Sequence, residues 1–327
     1  MWHFSKMPLQ PGQILGDRYR IVEHLAEGGM GAVYRAWDLR LKISVALKEM
    51  VPLAGQAPNL LSKLREQFSQ EATILAKLSH PNLVRVGDFF QDNDNSYLVM
   101  DYVEGENLAE LIQTEGAIPE TQMIEWTKQL LDALIYCHQK GVVHRDIKPQ
   151  NVNIRSDGRA ILVDFGLVKL WNPDDPRTKT VMRGMGTPEY APPEQYDTAM
   201  GHTDPRSDLY SLGACLYHAL TGQAPPTATQ RIAGLQPFQP PRKLNHLISD
   251  NVESVIMRAM ELQVDRRFPD ASTMLAGLSG EDIQVPSKTV PYIQTRTAVM
   301  PHRDHVQPEV VPGEIGNRVP IPKPSQI

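Results

Sequence analysis

Cysteine is nearly absent: 327 residues carry only Cys137 and Cys215, and both fall inside apolar helical patterns. That argues against a disulfide framework and suits a reducing compartment. Long apolar runs are missing as well. None approaches the roughly 18 residues of a membrane-crossing helix, and the opening MWHFSKMPLQPG lacks the apolar core of a signal peptide. Nor is there an excess of positive charge: 33 Lys and Arg stand against 38 Asp and Glu, a formal net charge of −5. Neither nucleic acid nor an anionic membrane then has electrostatic support as the main partner. The expectation is a soluble cytoplasmic protein. What is present is ordinary for a globular core, with 41% hydrophobic and 22% charged residues.

The first hundred residues favour strands. DRYRIVEHL, AVYRAWD, ISVALKEM, LVRVGDFF and SYLVMDYV are short β-branched or aromatic runs separated by turn residues. One helix interrupts them, with Leu64, Phe68, Glu71, Leu75 and Leu78 on a single face. From about residue 104 the pattern turns helical. PETQMIEWTKQLLDALIYCHQKG opens with Pro119 and closes with Gly141, and Met123, Leu130, Leu134 and Cys137 mark its inner face. SDLYSLGACLYHALTG is apolar almost all round, as a core helix is, and NVESVIMRAMEL and DASTMLAGL read as further helices. Residues 167–194 and 222–243 read as loops, and roughly 281–327, rich in proline and without periodicity, as a disordered tail. A small β-rich lobe, a larger helical lobe and a tail result.

Three stretches carry chemistry. In LAEGGMGAVYRA, Gly28, Gly29 and Gly31 allow a backbone to fold closely over a ligand and to present N–H groups to phosphate. A strand-like AVYRAWD follows, not the helix of a dinucleotide site, which favours a β-hairpin lid. Lys48 in SVALK shares a strand face with Ala46. Glu71, a carboxylate inside an apolar stripe, needs a cation, and Lys48 fits. VVHRDIKPQNV sets four ionisable side chains between buried-looking segments, so it is either an exposed turn or a place where something binds. Asp146, Lys148 and Asn151 offer a base, a cation and an amide oxygen. Asp164 follows in ILVDFGLVK, and with Asn151 makes a hard-oxygen pair suited to Mg²⁺. Asp146 is then free to accept a hydroxyl proton.

Together these residues resemble the eukaryotic-type (Hanks-type) protein kinases, and among them the bacterial serine/threonine members. Protein kinases are the standard worked example of phosphoryl transfer, and the roles that follow are the family's. AEGGMGAVY resembles the Gly-rich loop, VALK the strand lysine with Glu71 its helix partner, HRDIKPQN the catalytic loop, DFG the metal-binding triplet, and GTPEYAPPE the end of the activation segment. The resemblance implies an α+β bilobal fold, with an antiparallel-β N-lobe bearing one helix (about 17–100) and a mainly helical C-lobe (about 104–278). An extension (1–16) would precede this 17–278 domain, and a tail (279–327) would follow. It implies ATP as cofactor with Mg²⁺, or Mn²⁺ in its place, and Ser/Thr hydroxyls of proteins as acceptors.

By the same resemblance, Asp146, Lys148, Asn151, Lys48 and Glu71 are the catalytic set, and Asn151 and Asp164 hold the metal. Leu25, Ala26, Glu27, Gly28, Gly29, Met30, Gly31, Val33, Ala46, Lys48, Met100, Asp101, Val103, Asn153 and Asp164 surround the nucleotide. Thr187 belongs to the substrate-binding loop and would touch Asp146 and Lys148. Thr178 and Thr180 are the activation-loop phosphoacceptors, read by Arg145. Asp208 would brace the catalytic loop, Arg267 would pair with Glu194, and Leu75, Val86, His144 and Phe165 would stack as a column between the lobes. Asn107 and Gln150 disfavour a strong demand for upstream arginine. The resemblance also allows a transient homodimer. Thr289, Thr295 and Thr297 make the tail a linker end, or a docking segment for a phosphothreonine-binding partner.

Three positions depart from the family pattern: Ala26 for the first loop glycine, Asn153 for an apolar adenine-pocket floor, and Pro192 for the alanine of the APE triplet. None removes a phosphoryl-transfer group. An active kinase is therefore favoured over the alternative, a nucleotide-binding pseudokinase scaffold.

Overall fold

A computed structural model describes residues 8–28, 31–50, 66, 68–70, 72–92, 95–164, 169–170, 187–196 and 202–281. The chain divides into two units, 1–283 and 284–327, and the second lies wholly outside the described residues.

Its N-terminal part is a six-stranded antiparallel sheet in the order β1-β2-β3-β4-β6-β5. The strands are β1 (Ile14–Leu15), β2 (Tyr19–Gly28), β3 (Gly31–Asp38), β4 (Ile43–Met50), β5 (Val86–Asp92) and β6 (Asn95–Asp101). The two-residue period explains the faces. Tyr34, Ala36, Val45 and Leu47 pack with Leu15, Tyr19, Ile21, Tyr97 and Val99 on one side. Val33, Ala46 and Lys48, on the opposite face, are only partly buried. Helical residues 66, 68–70 and 72–75, together called α1, supply Phe68, Ala72 and Leu75 to the larger core that continues into the second lobe. Glu71 lies outside the described residues.

The second lobe is built on α2 (Leu108–Glu115), α3 (Glu120–Gln139), α4 (Pro205–Thr221), α7 (Asp250–Ala259) and α8 (Ala271–Leu278), with short α5 (Ala228–Ile232) and α6 (Pro241–Leu244) between. All four residues assigned to the inner face of α3 are buried. α4 starts at the cap Asp204 with Pro205 in its first turn, ends at left-handed Gly222, and is buried on nearly every side. Gly213 lets it approach α7, since a side chain there would press on Ala259.

Two expectations need correcting. Residues 222–243 are not all loop. α5 opens with a reciprocal Thr227–Gln230 capping box, which fixes a helix too short to show periodicity. The helical lobe also holds small strands: β7 (Glu106–Asn107), β8 (Val142–Val143), β9 (Val152–Ile154), β10 (Ala160–Leu162) and β11 (Lys169–Leu170). They form the sheets β10-β9-β7 and β11-β8. Two or three residues carry no alternation to read. These strands set the positions of the loops between them.

Candidate active site

Residues 144–151 link β8 to β9 across the face of the helical lobe, and their shape is imposed from below. Asp208, in the first turn of α4, is fully buried. Its carboxylate accepts the backbone N–H of His144 (2.9 Å) and Arg145 (2.8 Å), and Nε2–H of His138 at 2.8 Å. Burial alone would raise its pKa. The His138 hydrogen bond and charge, His144 and the Arg145 N–H outweigh that and hold the carboxyl below its ordinary value. With its N–H fixed in this way, Arg145 takes a left-handed φ of 66°, a conformation that non-glycine residues rarely adopt. His144, also fully buried, has its pKa pushed down by burial against the pull of Asp208, Asp146 and Asp164.

Above this base the polar groups converge. Asn151 donates through Nδ2 to the Asp146 carbonyl (2.8 Å) and to Asp146 Oδ2 (2.9 Å), with the Asp164 carbonyl at 3.4 Å. Lys148 Nζ lies 3.0 Å from the same Asp146 oxygen. Asp164, two residues beyond β10 and itself left-handed at φ 55°, forms an ion pair with Lys48 from β4. One cleft thus joins residues 116 positions apart in the chain. Among the described residues no hydrogen bond is made to Asn151 Oδ1 or Asp164 Oδ2, so two hard oxygens remain for a cation. No cluster of three His, Cys, Asp or Glu suited to a metal occurs among the described residues.

Behind the cleft, Glu194 and Arg267 form a fully buried pair at 2.7 Å, and Ser207 Oγ adds a third bond to the same carboxylate. With this geometry in view, the comparisons with known proteins are specific. A family model described as the protein kinase domain matches residues 19–274. The chain belongs to the protein kinase domain family. It is 36% identical over 273 residues to a probable serine/threonine-protein kinase of Clostridium perfringens (strain 13 / Type A), an alignment covering 82% of this chain and 38% of that protein. Over 327 aligned residues it is 31% identical to serine/threonine-protein kinase PknB of Mycolicibacterium smegmatis, covering 96% and 50%. With PknB of Mycobacterium leprae the identity is 33% over 286 residues, covering 83% and 45%. The chain spans half or less of the length of these relatives.

In this kinase domain Gly28 and Gly31 face each other across the β2–β3 ladder. A β-ladder therefore stands where a dinucleotide fold would start a helix, while Gly29 and Met30 lie outside the described residues. Gly31 has φ 143°, and a Cβ there would land on the Glu49 carbonyl oxygen. Only glycine fits. Leu25, Ala26 and Glu27 are exposed on β2, with Ala26 opposite Val33. Val33 in turn faces Lys48, and Ala46 faces Met100. At the link between lobes the Asp101 N–H is taken by the Arg85 carbonyl at 3.0 Å. The backbone N–H and C=O of Val103 bond to no group among the described residues. Asn153 is half-buried on β9, between Asn107 and Ile161.

Thr187 bonds through its carbonyl to Tyr190 N–H at 3.2 Å. Among the described residues no hydrogen bond joins its hydroxyl to Asp146 or Lys148. Glu71, Phe165, Thr178 and Thr180 lie outside the described residues. Leu75, Val86 and His144, the other expected members of the column, are buried. The sequence reading did not single out His138. It stands at the end of α3 as one more helix residue, and only the fold shows that its Nε2 meets Asp208.

Proposed function

We propose that this chain is a serine/threonine protein kinase that transfers the γ-phosphate of ATP to Ser or Thr hydroxyls of proteins. One observation carries the reading: Lys48, Asp146, Lys148, Asn151 and Asp164 converge in one cleft, with oxygens on Asn151 and Asp164 that accept no hydrogen bond among the described residues. Lys48, half-buried and already beside a carboxylate, is suited to hold phosphate oxygens. Asn151 and Asp164 would hold Mg²⁺, or Mn²⁺ in its place. Bound there, the cation would neutralise charge on the nucleotide's phosphates. Asp146, oriented by Asn151 and Lys148, is the group to receive the acceptor's hydroxyl proton, and help of this kind is worth about 10²–10⁴ in rate. Lys148 beside it would shield the γ-phosphate as it moves. Val103, whose backbone groups bond to nothing among the described residues, is suited to hydrogen-bond a purine edge. The serine/threonine assignment rests on Lys148 two positions after Asp146 and on the names of the relatives. Thr178 and Thr180 are proposed as the activating phosphoacceptors.

The test is incorporation of γ-phosphate from Mg-ATP, by the chain alone and with a generic basic protein, beside Asp146→Asn. Transfer onto serine or threonine that the variant lacks is the expected result, with Thr178 or Thr180 among the sites mapped. A folded chain that binds nucleotide yet transfers nothing, even after phosphorylation by another kinase, would instead be a binding scaffold.

A further inference from the structure

One buried polar contact is not used by the reading above. Gln195, 8% exposed, donates from Nε2 to the carbonyl oxygen of Arg145 at 3.0 Å. That carbonyl belongs to the peptide plane joining Arg145 to Asp146. The other end of the same plane, the Asp146 N–H, points at His144 Nδ1 at 3.3 Å. The preceding N–H, that of Arg145, is held by Asp208. The left-handed Arg145 is thus pinned on both sides, and a residue in that conformation persists only where its surroundings impose it.

What holds Gln195 is equally definite. It ends a 3₁₀ turn, Pro193–Gln195, and its neighbour Glu194 is bonded by Arg267 at 2.7 and 2.9 Å and by Ser207 at 2.7 Å. This turn is the end of the activation segment. We propose that Gln195 is a positioning residue: by holding the Arg145 carbonyl it fixes the peptide from which Asp146 projects, and so ties the catalytic loop to the anchored end of the activation segment. The proposal rests on the kinase reading and deepens it. An apolar side chain would fill the space but withdraw this hydrogen bond from a buried carbonyl. The peptide could then rotate, relaxing φ at Arg145 and moving Asp146 out of register with Asn151 and Lys148. Lys48 and Asp164 would be undisturbed. Loss of the amide should therefore lower kcat and leave the KM for ATP alone.

The experiment uses the full chain, Mg-ATP and a basic acceptor protein, with Gln195→Leu and Gln195→Glu. Wild type is measured first. If it transfers nothing, the kinase reading fails and this proposal with it; if it transfers, the variants test Gln195 alone. Gln195→Leu is expected to lose about tenfold or more in kcat, with the KM for ATP within about twofold. Gln195→Glu separates positioning from general damage. Ionised, its carboxylate opposes the carbonyl oxygen; protonated, its O–H donates where the amide did. The charged and titratable groups bonded into this junction are Asp208 with His138, Asp146 with Lys148, Arg145 and the Glu194–Arg267 pair, while burial lowers the pKa of His144. Burial beside two aspartates raises the pKa of a new carboxyl. Its kcat relative to wild type should rise severalfold between about pH 8 and pH 6, while that of Gln195→Leu stays flat. Thermal melting checks folding, and Gln195→Met replaces the leucine variant if that does not fold. A kcat for the apolar variant within about twofold of wild type, or a Gln195→Glu ratio indifferent to pH, overturns the proposal.

Discussion

Two sets of opposite charges lie within the same domain and are built differently. Lys48 and Asp164 are 17% and 28% exposed, whereas Glu194 and Arg267 are both at 0%. In the buried pair every donor is used. Arg267 gives Nε to Glu261, one Nη to Glu194 and Arg206, and the other to Glu194 and Leu262, while its face rests on Tyr210. In the cleft, Asn151 Oδ1 and Asp164 Oδ2 accept nothing among the described residues. Charge that holds shape is dry and fully bonded, because an unmet charge out of water costs several kcal/mol. Charge that is to meet a ligand stays half wet, so that water can occupy it until the ligand does.

The sharpest way to break this contrast is to change one charge of the cleft, Asp146 beside Lys148, and one of the buried pair. Asp146→Asn should cost about 10²–10⁴ in the rate of phosphate transfer and leave the melting temperature nearly unchanged. Arg267→Ala should do the opposite. Breaking a buried pair from one side costs about 3–5 kcal/mol, which lowers Tm by roughly 6–20 °C in a domain of this size. Replacing both partners, Glu194→Leu with Arg267→Met, should recover part of that loss, because no charge is left stranded. Calorimetry on the four proteins decides it. A Tm loss for Asp146→Asn as large as that for Arg267→Ala would erase the distinction between the two sets.

How much of this was legible in the sequence follows from the same contrast. The five main strands, the long helices and the cleft residues were readable because each depends on local pattern. Period two placed Lys48 on a face with Ala46, and dense charge between apolar runs marked residues 144–151. Strands β7 to β11 were not readable, for with two or three residues each they show no alternation. Nor were His138 and Gln195. Each acts on the loop's backbone, His138 by way of Asp208, across 70 and 50 positions of sequence, and a helical or turn residue gives no local sign of such a partner. Asp208 and Arg267 came from the family resemblance, not from spacing.

A smaller effect sharpens the dry side of the comparison. His144 is buried with its pKa lowered, so it takes up a proton on unfolding sooner than in the fold. As pH falls below the ordinary histidine value of about 6.5, the unfolded chain binds more protons and stability is lost, until the folded pKa is reached. Asp208, also lowered, keeps its contribution above its ordinary value of 3.8 and begins to lose it only as pH falls toward and below that value, well beneath the pH at which the loss from His144 begins. Tm should therefore decline between about pH 6.5 and pH 5, and His144→Phe should flatten the decline. An unchanged slope in that variant would assign the effect to another histidine.

The smallest effect concerns the wet side. Asn153 stands on β9 where an apolar floor beneath the base is the family pattern, and its amide makes no hydrogen bond among the described residues. If unspent atoms in the cleft are there to meet ligand, this amide should bond the nucleotide, and Asn153→Leu would weaken ATP. If it only lines the floor, leucine adds apolar contact, roughly 1 kcal/mol for a methylene or so of burial, or about fivefold tighter binding. The second outcome is expected, because a side-chain amide below a purine ring faces its π surface, where no donor or acceptor of the base lies. Titration of both proteins with ATP, with and without Mg²⁺, reads the sign directly. Tighter binding in both conditions would locate the change at the base and not at the phosphates, leaving Asn151 and Asp164 as the cleft's oxygens for the cation.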